Sequence, residues 1–220
     1  ARSLSQPTAL VFGPGGDTLW VAALGSAKVA ALAVSTLTPA AFVPDASRHV
    51  TVPDGPAGLA INASGPRLFV YSHIAHAVSI VDTATGRVRE KLTASLFPNS
   101  PPGSMPNSLA LSPDGELLFV ANATNNNVAI FDVEKTGKAK SLGFIPVGWF
   151  PTSVRVSADG QTLFVANGKG TSSAANPRGP FPGSPAPRNL QEYIGGLFQG
   201  TVALIALPVA KKRAEQFGAW

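Results

Sequence analysis

One segment is written four times along this chain, and the repetition constrains the fold more than any other feature. PTALVFGPGGDTLWVAALGSAKVAAL begins at Pro7 and PAGLAINASGPRLFVYSHIAHAVSIVD at Pro56. PNSLALSPDGELLFVANATNNNVAIFD begins at Pro106 and PTSVRVSADGQTLFVANGKG at Pro151. The matching aromatics are Trp20, Phe69, Phe119 and Phe164, a period of about 45–50 residues. The third copy reads most clearly as strands. Leu109–Leu111 is a short apolar strand, and Ser112-Pro113-Asp114-Gly115 is a turn in which Pro presets φ and Gly accepts a positive φ. The run from Leu117 to Ala121 is continuously apolar, as expected of a strand covered on both faces. Asn122 to Asn127 reads as a polar loop, Val128 to Phe131 as a third strand, and Leu142 to Val147 as a fourth, with Pro146 marking an outer edge.

Four short strands joined by tight turns cannot bury both faces alone, and stacking the copies buries them. The expectation is therefore an all-β fold, a β-propeller of four-stranded antiparallel blades with about four blades present. The blade repeats span about 7–55, 56–105, 106–150 and 151–210, in one domain covering 1–220. A leucine-rich solenoid would need a shorter period and a Leu/Asn ladder, which the sequence lacks. A Pro/Gly-rich insertion, 168–199, interrupts the fourth copy where the others have a short loop. Its composition cannot build a core.

Composition narrows the function classes. Apolar residues are 45% of the chain and there is no cysteine, which excludes disulfide scaffolds, Cys-type zinc sites, thiol catalysis and c-type haem attachment. Charged residues are 13%, about half the usual ~25%, so much of the surface is neutral. The net charge is +5, but the cations are dispersed. The one dense run, Lys211-Lys212-Arg213, reads as a solvated basic tail, and no nucleic-acid partner is expected. No stretch approaches the ~18 apolar residues of a membrane span, and no apolar h-region of a signal peptide is visible at ARSLSQ.

The quoted units resemble the YVTN-type propeller repeat, whose core runs from a proline through S-P-D-G and L-(aromatic)-V-A-N to an N-x-V strand ending in (I/V)-D. The resemblance covers about 7–209, and complete members usually have about seven blades. That implies a piece of a larger propeller, with a closed four-bladed ring as the other arrangement. GFIPVGWFPTSVRVSADGQTLFVANGKG from Gly143, and YIGGLFQGTVALIALP from Tyr193, resemble a bacterial subset. In it the propeller is followed by an alkaline-phosphatase-superfamily phosphoesterase domain. Membership implies an exported protein, periplasmic or extracellular, with its metal chemistry beyond this chain. The first copy is also similar to propellers attached to di-haem peroxidase-like cytochromes, but with no CxxCH present no haem binding carries over.

Candidate site residues are few. Asn122 and Asn167 end the two VAN strands, where they either face the mouth and bind a polar ligand or close a local Asx turn. Trp149 and Phe150, with the NGKG loop that carries Lys169, are the surface candidates for a ligand or partner, Lys169 for an anion. Tyr193, within the insertion, joins them. His73 and His76 could ligate a metal only if a carboxylate joined them, so neither a metal nor a cofactor is expected. Asp82 and Asp132 follow third strands and read as turn-capping acids.

No catalytic constellation is visible. The expected function is thus a non-catalytic scaffold and interaction module, not an enzyme. Its partner would be another protein or the missing phosphoesterase domain, and an oligomer is compatible with it. Two alternatives stand beside this reading. One is a lactonase-like propeller hydrolase, with acids, Asn and His converging at the mouth around a divalent cation. The other is a structural subunit of a larger envelope complex.

Overall fold

The computed structural model describes residues 4–37, 45–63, 66–97, 103–171 and 198–208. Four antiparallel sheets follow one another along the chain. The first contains β1 (Pro7–Phe12), β2 (Thr18–Ala23), β3 (Lys28–Ala33) and β4 (His49–Thr51), and the second β5 (Pro56–Ile61), β6 (Arg67–Ser72), β7 (Ala77–Asp82) and β8 (Arg87–Thr93). The third contains β9 (Pro106–Leu111), β10 (Leu117–Asn122), β11 (Asn127–Asp132) and β12 (Lys140–Pro146). The fourth has β13 (Pro151–Val156), β14 (Thr162–Asn167) and β15 (Thr201–Ala206) among the described residues. Strands in each sheet lie in sequence order, and the only described helix is three single-turn 3₁₀ segments.

The first strands of successive sheets pack on one another, β1 on β5, β5 on β9 and β9 on β13, while no comparable packing joins β1 to β13. The sheets are therefore blades fanned about an axis lined by these inner strands, in an open arc. Pro146 sits at the end of the outermost strand, opposite Asn127. The polar loop is shorter than expected from sequence. β10 runs through Asn122 and β11 restarts at Asn127 because these two residues close the ladder as partners.

Three apolar seams hold the arc together. Trp20 packs with Leu68 and Val70 between the first two blades. Phe69 packs with Leu118 and Val120 between the second and third, and Phe119 with Leu163 and Val165 between the third and fourth. The aromatics of the first three copies thus fill the seam with the next blade. Polar groups reinforce the central seam. Arg67 donates to the carbonyls of Val133 and Gly115, and Glu90 accepts from the backbone N–H groups of Gly137 and Ala139.

The burial patterns follow from this stacking. β6 and β10 are buried at every position because neighbours cover both faces. β14 and β15 alternate instead, since only one face of the fourth blade is covered. Phe119 is 0% exposed, whereas the equivalent Phe164 is 37% exposed, beside Val202 at 60% and Leu204 at 68%. At the other end Leu10 is 65% exposed while its equivalent Leu109 is 6%. Both ends of the arc present the half-seams that are closed three times inside it.

The turns joining first to second strands lie along one rim of the arc. Gly16, Gly115 and Gly160 take φ of 73°, 73° and 72° there, values that favour glycine. Ser112 accepts from Leu117 N and Ser157 from Thr162 N, both at 2.9 Å. Asp82 caps its turn by accepting from Ala84 and Thr85 N–H groups, and Asp132 accepts from Glu134 N. Backbone donors at Thr85 and the Arg89 guanidinium hold the Asp82 carboxyl below the usual carboxylate value.

In this chain Phe119→Ala should cost about 3–5 kcal/mol, the range for a truncated core aromatic. Phe164→Ala should cost less than about 1 kcal/mol, because half of that seam is open. Urea unfolding of the two variants checks the difference. Equal costs would mean that something already covers the fourth blade.

Candidate functional site: the inner rim

The opposite rim is built from two pieces of each blade. One is the lead-in to the inner strand, and the other is the turn between the second and third strands. One backbone bond between them recurs in every blade. Leu24 N donates to Gln6 O, His73 N to Gly55 O, Ala123 N to Met105 O and Gly168 N to Phe150 O, at 2.7–3.0 Å. The accepting residue always precedes the proline that starts the inner strand. To aim its carbonyl back at the turn it adopts a left-handed φ: 54° at Gln6, 75° at Gly55, 44° at Met105 and 57° at Phe150. Three of these four are not glycine, so the geometry carries strain.

Immediately after each proline the ladder skips one residue. Thr8, Ala57, Asn107 and Thr152 have no cross-strand partner. These are β-bulges at the inner edge, a device that re-aims a side chain. Sequence reading missed them, although the P-x-x-(apolar) spacing was their signal.

Polar side chains of the second and fourth blades bond to the third blade at and beside this edge. Tyr71 packs flat on Gly58, where any Cβ would collide with its ring. Its hydroxyl donates to Asn107 O at 2.7 Å. Burial pushes the Tyr71 phenol up, opposed by the nearby Arg155 charge, so it stays a donor at neutral pH. Arg155 reaches Ser108 Oγ at 3.4 Å and Val154 O at 2.7 Å from the exposed side of β13. His73 Nδ1 lies 3.0 Å from Pro106 O. A carbonyl only accepts, so Nδ1 carries the proton and the neutral ring presents a lone pair at Nε2. His76 Nδ1 accepts from Met105 N at 3.0 Å, which places its proton on Nε2.

The sequence-expected residues separate into groups. Asn122 and Asn167 do not face the mouth: both are buried beneath the rim. Asn122 donates to Ala94 O and Asn127 Oδ1, and Asn167 donates to Thr201 Oγ1. Trp149 is exposed and Phe150 half-buried. The Lys169 ammonium rests on the rings of Phe150, 4.8 Å away, and Phe198, 5.8 Å away, a cation–π arrangement. Tyr193 lies outside the described residues. Both His73 and His76 have Nδ1 engaged with the third blade's backbone, and no cluster of three metal-ligating side chains occurs among the described residues.

Solved structures share the fold. A Pseudomonas aeruginosa periplasmic gluconolactonase is 22% identical, with a TM-score of 0.66 over 74% of this chain and 47% of that one. A candidate 6-phosphogluconolactonase of Bacteroides fragilis is 23% identical, with a TM-score of 0.63 over 73% and 47%. Hydrazine synthase of Kuenenia stuttgartiensis is 22% identical, with a TM-score of 0.62 over 76% and 44%. At such identities the likeness is one of fold, and the chain spans less than half of each. No curated protein matches the sequence. Residues 3–181 match the family described as lactonase, 7-bladed beta-propeller.

That match overturns the expectation of a non-catalytic scaffold and supports the hydrolase alternative. The error has a physical cause. A propeller site takes one or two residues from each blade, so no local motif announces it. No helix among the described residues is long and apolar enough to cross a membrane. Matched over most of its length, the chain belongs to the lactonase family of seven-bladed β-propellers.

Proposed function

We propose that the complete protein opens a lactone ring at the mouth formed by the inner rim. The family match over residues 3–181 carries this reading, and the polar cluster at the rim supplies chemistry suited to it. Ester hydrolysis needs a base for water and donors for the oxygen on which charge develops. His73 fits the first role, with Nδ1 fixed on Pro106 O and Nε2 left as the acceptor. Arg155 and the bulged Asn107 amide fit the second.

In this scheme His73 Nε2 takes a proton from water while the oxygen attacks the lactone carbonyl carbon. Arg155 and Asn107 hold the carbonyl oxygen as it becomes negative. The ring C–O bond then breaks, and the leaving alkoxide recovers the proton from His73. Water is added and a hydroxy acid leaves. Tyr71 acts through Asn107, whose carbonyl it holds. The remaining blades would complete the mouth. A periplasmic or extracellular location, and a phosphoesterase domain beyond this chain, are separate proposals. The mass and cell fraction of the native protein test both.

The test is ring opening of a γ- and δ-lactone panel, followed by proton release. Arg155→Ala and His73→Gln should each lower kcat/KM by about 10²–10⁴-fold. Tyr71→Phe should cost about 0.5–1.5 kcal/mol of stability with a smaller loss of rate. A wild-type protein that opens no lactone, or variants that keep full rate, would refute the proposal. Gly58→Ala offers an independent check on the rim. It should destabilise by about 1–3 kcal/mol, as an overpacked site does, because the Tyr71 ring must leave its shelf.

A further inference from the structure

The turn between second and third strands ends in a left-handed residue in each of the first three blades: Ala27 at φ 50°, His76 at 53° and Asn126 at 52°. Two of these side chains reach the next blade in the same way. Asn126 Oδ1 accepts from Phe150 N at 2.9 Å, and His76 Nδ1 accepts from Met105 N at 3.0 Å. Phe150 and Met105 are the strained left-handed residues that precede the inner-strand prolines. Ala27 has no acceptor to offer. The rim thus has one seam latched by an amide and one latched by an imidazole.

We infer that His76 is a proton-sensitive positioning residue, a latch that holds the Met105–Pro106–Asn107 segment in place only while its ring is neutral. Protonation would put a hydrogen on Nδ1 facing the Met105 N–H, donor against donor, and the bond would be lost. His73 behaves differently. Its Nδ1 already donates to Pro106 O, so that contact survives protonation. Acid therefore releases the His76 bond to the segment that carries the bulged Asn107 and the carbonyl orienting His73, while Ala123 N–H on Met105 O and the Tyr71 hydroxyl on Asn107 O still hold it. The consequence for turnover rests on the lactonase reading, whereas the latch itself is read without substrate.

The groups around the latch support this direction. Burial, and after it the neighbouring His73, hold the His76 imidazole below its ordinary value of 6.5. The charged residue on the adjoining lead-in is Asp54, whose carbonyl accepts from Ala75 N of the same turn at 3.1 Å. Segments 94–97 and 103–105, which also pack on this turn, carry no charged side chain. A depressed folded value means that the native state favours the neutral ring. The latch contributes fully above 6.5 and is lost as pH falls through the folded value.

Amide exchange at Met105, measured by NMR in the wild type, His76→Asn and His76→Ala, tests the inference. His76→Asn copies the amide latch of the next seam and cannot titrate. In the wild type the Met105 protection factor should fall about tenfold or more between about pH 8 and about pH 5. His76→Asn should stay protected at both, and His76→Ala at neither. If His76→Ala does not fold, the wild type and His76→Asn still decide the matter. Equal wild-type protection at the two pH values would overturn the latch, as would a His76→Asn protein that loses protection like the wild type. Neither result depends on lactone turnover.

Discussion

Each sheet in this chain has two apolar faces, and only another sheet can keep both dry. Everything else in the structure follows from that requirement. Trp20, Phe69 and Phe119 reach forward into the next blade, and Leu68, Leu118 and Leu163 reach back. With both faces buried, the middle strands have no use for charge, which accounts for the neutral composition. The charged groups that enter the seams bring partners, Arg67 with two carbonyls and Glu90 with two backbone N–H groups, whereas the buried Ser79 hydroxyl has none. Where the arc stops, the same residue types lie open, as Leu10 and Leu204 do.

The two rims of the arc are made on different principles. One is closed by turns whose left-handed positions are glycines and whose Ser and Asp side chains satisfy the local backbone. This is relaxed geometry. The other places non-glycine residues in the left-handed region at Gln6, Ala27, His76, Met105, Asn126 and Phe150, and adds a bulge after every proline. Such strain persists only where surrounding bonds over-determine it. Here the recurring backbone bond between lead-in and turn does so, four times. On the strained rim Tyr71 and His73 bond to Asn107 O and Pro106 O, and Arg155 reaches the neighbouring Ser108 from the fourth blade.

The blade plan was legible in the sequence because it depends on local patterning repeated at a fixed period. The strands, the Gly-containing turns and the capping role of Asp82 and Asp132 can all be read from one copy. The rim was not legible, because its features arise between copies. Asn107 looks like an ordinary strand residue until the ladder is seen to skip it. Tyr71 looks like core until Gly58 and the Asn107 carbonyl are placed beside it. Asn122 and Asn167 carried two readings, a mouth or a local turn, and the fold supplies a different local role: the strand continues through Asn122, whose buried amide bonds Asn127. The scaffold reading failed for a related reason: it sought spaced acids and histidines along the chain, while a propeller brings residues from different blades together around an axis.

That distribution also explains how one architecture serves a gluconolactonase and a hydrazine synthase. The rim's repeating bonds run from main chain to main chain, so they survive changes of side chain. The final turn position is Ala27, His76 and Asn126 in successive blades, yet its carbonyl accepts from Val52, Ala94 and Val147 N–H in turn. The bulge position is Thr8, Ala57, Asn107 and Thr152, with the same skipped ladder each time. Backbone geometry is conserved from blade to blade within this chain while the side chain at each rim position is replaceable. A propeller can therefore change its chemistry one blade at a time, and the residues proposed to set it here, His73, Asn107 and Arg155, share no common sequence motif.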